Sequence, residues 1–284
     1  MTGAESGLPS ELIKLPPLSR KVVITMMRDR GITGTISTIL GRRLHSELNG
    51  LPAPICQQFA ALVDAEWLRR NGEQILPIKS ADDFRTHPLP IPLSIRKQLT
   101  GRLSLLTPDQ IAAAEVMAVL GRPAGVGVLG RAIEQPNEIR FILENMVHVG
   151  IIRARKEDEQ VLFEFAHPCT GGVLAEGMAI DHKRSIHHAI ATALGKRRRN
   201  PDANKEVAEH LHGAGQLTQA FSVYVQSARG MLRQGRYAEV IDLCETAKTA
   251  KEEVQQTLPK KELLETCRWL YMVLGEALLA KGKW

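Results

Sequence analysis

The stretch following Asn204 constrains this chain more than any other part of it: EVAEHLHGAGQLTQAFSVYVQSARGMLRQGRYAEVIDLCETAKTAK. Apolar residues recur there at helical spacing, and the runs are broken by corners of one kind. Each corner is a glycine, one further residue, and then Leu or an aromatic: Gly215-Gln216-Leu217, then Gly235-Arg236-Tyr237. Glycine supplies the left-handed conformation that a tight corner needs. The bulky residue and the small one after it then pack helix against helix. Helices of roughly 15 to 20 residues joined by such corners cannot each bury an apolar face alone, so they stack side by side. A third corner begins at Gly282, two residues before the last residue of the sequence. The final helix is therefore expected to lack its neighbour, as in a fragment of a longer array. The spacing departs from the strict tetratricopeptide repeat of about 34 residues, so the array is read as a degenerate, tetratricopeptide-like one.

The remainder of the 284 residues fits a helical protein. Hydrophobic residues make up 44% but aromatics only 4%, so the core must be aliphatic, which suits packed helices better than a β-sandwich. No run approaches the ~18 apolar residues of a membrane span, and MTGAESGLPSELIK lacks the basic and apolar regions of a secretory signal. The four cysteines (Cys56, Cys169, Cys244, Cys267) are scattered without a CxxC pair. Reduced thiols and a cytoplasmic location are expected. The net charge of +6 invites nucleic acid as a partner. Its sharpest run, GKRRRN at 195–200, follows a helical pattern, where cations complement the helix dipole on a solvated loop.

Punctuation along the chain predicts a mainly α fold in six parts. Residues 1–14 form a mobile start. Residues 15–78 form a helical, lid-like region of three helices. The first is capped by Ser19 and stopped at Gly31, the second ends at Asn49-Gly50, and the third runs from Pro52 and Pro54 to a stop at Asn71-Gly72, with QILPI extended after it. KSADDFRTHPLPIP makes 79–93 a polar, Pro-rich linker. In 94–167, helices capped at Thr107 and continuing through PNEIRFILENMVHVG precede IIRARKEDEQVLFEF, an alternating β-hairpin. Helices followed by a hairpin is the order of a winged helix. Connecting helices occupy 168–202, with one helix expected through GGVLAEGMAIDHKRSIHHAIATAL, and the repeats fill 203–284.

Several residues look reactive in isolation. His167 and Cys169 stand two apart, but Phe163, Glu164 and Phe165 place His167 at the end of a strand and Pro168 opens a turn. His167 is therefore read as a structural strand-to-helix corner. Cys169 has no local acidic partner to complete a triad, and one His/Cys pair is not a zinc signature. The neighbours His187 and His188 diverge on a helix, as do His210 and His212, and the five-residue spacing of His182 and His187 misses a shared face. No catalytic residue, metal ligand or resident cofactor is expected.

In this order the pieces resemble the regulatory half of STAND-type signal-transduction ATPases, as in large LuxR-type regulators and kinase- or cyclase-linked AAA ATPases. The residues that carry the resemblance are KLPPLSRKVV, ELNGLPAPICQQFAALVDAEWL, PIPLSIRKQLTGRLSLLTPDQIAAAEVMAVLG, FEFAHP and AEHLHGAGQLTQAFSVYVQSA, from about Leu15 to the end. It implies that Gly50-Leu51-Pro52 matches a Gly-x-Pro motif that senses nucleotide on a P-loop core, making Gly50 and Pro52 candidates for that role. A helix break followed by a helix start explains the same three residues. Pro168 departs from the family's usual corner. No G-x-x-x-x-G-K-[ST] loop occurs, and the acidic pair in SADDF sits in the linker, so ATP or ADP with Mg is implied only if a core is supplied in cis or in trans.

Two classes of function follow. One is a non-catalytic regulatory module whose repeats, cornered at Gly215, Gly235, Tyr237 and Gly282, bind a protein partner. The other is a winged-helix, DNA-binding transcriptional regulator. PNEIRFILENMVHV carries Arg140 and Asn145 but also Glu138 and Glu144, and the hairpin tip RARKEDEQ mixes three cations with three acids. That composition argues against base readout and phosphate binding.

Overall fold

The computed structural model describes residues 16–135, 137–195, 200–254 and 260–282. The expected mobile start (1–14), the cations at 196–199 and the last two residues of GKW lie outside the described residues. Within them are fourteen helices, five short strands in two antiparallel sheets, and no helix long and apolar enough to cross a membrane. The chain divides into two compact units, residues 1–97 and 98–284.

In the first unit α1 (Arg20–Asp29) begins where Ser19 accepts the Val22 N–H at 3.4 Å. It ends at Gly31, φ 94°, with the Ile32 N–H closing on the Met27 carbonyl. Helices α2 (Gly34–Leu48) and α3 (Pro52–Asp64) follow. Val23, Met27, Leu40, Leu44, Ile55 and Leu62 form their shared core. The third helix is shorter than expected. It stops at Asp64, the chain turns through left-handed Glu66 (φ 58°), and WLRRNG becomes β1 (Leu68–Asn71), paired with β2 (Gln74–Pro77). Asn71-Gly72 is a hairpin signal as well as a helix stop. Burial of Leu68 and Ile75, with Arg69 and Arg70 exposed, decides for the strand.

Residues 79–93, expected to be a linker, bury Phe84, Leu89 and Pro92. They contain α4 (Asp83–Thr86), whose Phe84 is fully buried edge-on against Trp67. Arg43 donates to the carbonyls of Phe84 (2.8 Å) and His87 (2.7 Å). The Asp83 carboxylate of SADDF accepts from the Ser80 hydroxyl and backbone N–H, and these bonds lower its pKa. The reciprocal pair forms a capping arrangement. Helix α5 (Leu93–Leu103) runs across the boundary between the units.

The second unit opens with α6 (Pro108–Leu120), started by a complete capping box between Thr107 and Gln110. Then come β3 (Ala124–Gly125), α7 (Val126–Ala132), α8 (Ile139–His148), β4 (Ile152–Glu157) and β5 (Gln160–Phe165). The hairpin stands as expected, with Ile152 opposite Phe165 and Glu157 opposite Gln160. Strand β3 adds to its other edge, Ala124 opposite Phe163, giving the order β3-β5-β4. Two residues between a Pro and a helix carry no alternation to read, so only the pairing reveals this strand. The single helix expected after His167 is two, α9 (Thr170–Gly177) and α10 (Ile180–Gly195), because Met178 is extended (ψ 132°) just after the poor helix former Gly177.

Four more helices complete the unit: α11 (Pro201–Gly213), α12 (Leu217–Arg233), α13 (Tyr237–Val254) and α14 (Lys260–Ala280). Each packs on the next, and α12 also meets α14. The first two corners have one geometry. Gly215 (φ 75°) and Gly235 (φ 72°) let the N–H of Gln216 reach the Leu211 carbonyl and that of Arg236 the Met231 carbonyl. Tyr237 begins α13, and Gly282 (φ 66°) follows α14 in the same backbone region.

Candidate functional site

A group of ionisable side chains lies along α11. Asp202, Glu206 and His210 are spaced by four, which puts them on one face of the helix. Each meets a side chain from a different element. Asp202 Oδ1 accepts from Arg236 Nη2 at 2.7 Å, at the start of α13, and Arg236 also bonds Glu239. Glu206 takes both arms of Arg122, just past α6, with Nη2–Oε2 at 2.8 Å. His210 Nδ1 lies 2.9 Å from His187 Nδ1 on α10. Lys205 and Glu209 share the resulting cleft, about 490 Å³ in volume.

At least one ring of the histidine pair is neutral, because one Nδ1 must accept. Two Nδ1 atoms at this distance share one proton, so one ring donates and the other accepts. Burial lowers the His210 pKa to about 4, helped by His187 and Arg122 and opposed by Glu206. Burial also lowers that of His187, with Lys183 assisting. The His187 ring sits flat on Gly213, where a Cβ would lie 2.6 Å from Nδ1. Close by, Tyr224 is buried with His212 edge-on at 6.3 Å, and burial pushes its phenol up to about 12. Burial raises the Glu209 carboxyl. The one accepting Nδ1 of the pair is already occupied by its partner's proton, so neither Nδ1 is available as a base toward a substrate. What the stripe does is clamp α10, α13 and the end of α6 onto α11.

Acid should loosen this clamp. Unfolded, both histidines take up protons near pH 6.5; folded, His210 resists until about pH 4. Between these values the unfolded chain binds more protons, so stability falls as pH falls through that window. Glu209, shifted upward, has the opposite sign. The urea midpoint should drop between pH 7 and pH 5, and His210→Gln should flatten that drop. An equally steep drop in the variant would remove the pair as its cause.

The other residues singled out from the sequence do not converge. His167 stands at the strand-to-helix corner, its Nδ1 accepting the Cys169 N–H at 3.2 Å, and burial and Arg102 lower its pKa. Cys169 is in no disulfide. His182 Nε2 meets Glu115 at 2.8 Å and His188 Nδ1 meets Gln216 at 2.9 Å. Reading histidine spacing along single helices could not find these pairs, because every partner lies on another element, 23 residues away for His187 and His210. Among the described residues no group of three or more His, Cys, Asp or Glu could hold a metal ion.

Gly50 and Pro52 sit at the α2–α3 joint. Asn49 (φ 52°) and Gly50 (φ 69°) are both left-handed, and Pro52 is the first residue of α3. The backbone of the chain itself approaches Gly50 closely. The Leu18 N–H donates to the Gly50 carbonyl at 2.8 Å, and a Cβ on Gly50 would lie 2.4 Å from the Leu18 oxygen.

The class this structure defines is a mainly α protein with two small antiparallel sheets. Comparison with known protein families found no match, and comparisons with curated proteins and with solved structures found none either.

Proposed function

We propose that the chain is a non-catalytic regulatory and protein-interaction module of the STAND-ATPase kind. In this reading residues 94–167 form a winged helix and α11–α14 the start of a tetratricopeptide-like array. The observation that carries it is the element order α6-β3-α7-α8-β4-β5, with β3 paired to the second hairpin strand, followed by helices cornered at Gly215 and Gly235. The stripe on α11 supports the regulatory role, because it ties the end of α6 to α10 and α13 and so couples the winged-helix part to the repeats. Nucleotide sensing at Gly50 and Pro52 belongs to this reading only with a P-loop core, supplied in cis or in trans, that brings ATP or ADP and Mg.

The DNA-binding alternative is disfavoured by where the cations go. On the hairpin, Arg153 pairs with Glu164 (2.8 Å) and Arg155 with Glu157 (2.6 Å). The outer face of α8 shows Phe141 and Glu144 beside Arg140. Such a surface neutralises few phosphates, and affinity depends steeply on that number. The purified chain is expected to leave ATP intact and to give no duplex-DNA shift at physiological salt. Turnover at an enzyme's rate would end the regulatory reading, and a salt-resistant shift would put the DNA-binding one in its place.

A further inference from the structure

Helix α14 carries a second apolar face. Cys267, Leu270, Val273, Leu274 and Ala277 are buried against the preceding helices. On the opposite side Leu264 (69% exposed), Tyr271 (49%, its hydroxyl accepting from Lys251 Nζ at 3.0 Å), Met272 (41%) and Leu279 (56%) share a stripe with Arg268 and Gly275. From Leu264 to Leu279 the stripe is about 22 Å long at the helical rise per residue. Apolar side chains in line on one helix face mark a contact surface more than scattered ones do. Gly275 leaves a gap in the middle of the stripe. Three helical glycines are seats for neighbours: Gly41 for Ile24, Gly213 for His187, Gly230 for Pro201, each within 2.7 Å of a built Cβ, whereas Gly101 and Gly177 are open. At Gly275 a built Cβ meets open space.

The pattern is self-complementary. If two copies of α14 lie antiparallel with the centre between Tyr271 and Met272, Leu264 meets Leu279 of the second copy and Tyr271 meets Met272. Arg268 then crosses Gly275, where the missing side chain makes room, and reaches Glu276 at the flank. Both charges are solvent-exposed in the single chain. The arrangement repeats itself through a two-fold axis, which is what an isologous contact requires. We infer that a second copy of this chain occupies the stripe, α14 against α14, with Arg268 and Glu276 setting the register. The pairing stands on α14 alone and does not depend on the regulatory reading above.

Sedimentation equilibrium over a concentration series tests it. The apparent mass should rise from 31.4 kDa toward twice that value. Arg268→Glu, or Glu276→Arg, turns two attractive pairs per dimer into repulsive ones and should weaken association about tenfold. The double swap Arg268→Glu with Glu276→Arg should restore it to within about threefold. All these side chains are exposed, so the circular dichroism of the variants should match the parent's, which separates lost pairing from lost folding. A mass that stays single throughout would overturn the inference and leave the stripe to a helix of another protein. So would a dimer indifferent to the single swaps, or one that the double swap fails to recover.

Discussion

Gly50→Ala should destabilise the first unit by about 3 kcal/mol, a large loss for one methyl group. Two costs combine. The left-handed φ of 69° costs a non-glycine residue about 1 kcal/mol or more. The added Cβ also lands 2.4 Å from the Leu18 carbonyl, which is backbone and cannot swing aside. Relieving that overlap means moving Leu18 and weakening its 2.8 Å hydrogen bond to the Gly50 carbonyl. Urea denaturation followed by circular dichroism reads the shift. A loss under about 1 kcal/mol would mean that the α2–α3 joint yields easily, and that this glycine needs some reason other than the fold.

Phe84→Ala is the second large effect, with an expected loss of about 3 to 5 kcal/mol. Phe84 is fully buried, its ring 5.2 Å from that of Trp67, on a helix of four residues that has little stability of its own. The bonds from Arg43 to the carbonyls of Phe84 and His87 would lose their anchored partner segment along with the ring. Tryptophan fluorescence should report the change at Trp67 directly. A variant as stable as the parent would show that Phe84 does not anchor 79–93.

The acid response of the His187–His210 pair and the charge-swap test of α14 probe the second unit in the same spirit. Each isolates one contact whose partners lie on different elements. The pair matters for the regulatory proposal because it is one link in the clamp on α11. Loosening it should weaken the coupling between α10 and α11 before it unfolds either helix.

Much of the helical punctuation follows from the amino-acid sequence by itself. Ser19, Thr107 and Pro52 mark helix starts, and Gly31, Gly215 and Gly235 mark ends, because caps and left-handed glycines act within four or five residues of chain. The hairpin at 152–165 is equally local, since alternation on both strands and a polar tip suffice to specify it. Tertiary structure decided the rest. Asn71-Gly72 could stop a helix or turn a hairpin, and burial of Leu68 and Ile75 chose the hairpin. The polar and proline-rich composition of 79–93 averaged over the one side chain that matters there, Phe84. Strand β3 exists only because β5 offers an edge. The stripe on α11 is half visible in the spacing of Asp202, Glu206 and His210, but Arg236, Arg122 and His187 come from 34, 84 and 23 residues away. Short-range signals act through backbone geometry, which neighbours in the chain determine. Pairings between distant side chains are set by how the helices pack, and no local spacing contains that information.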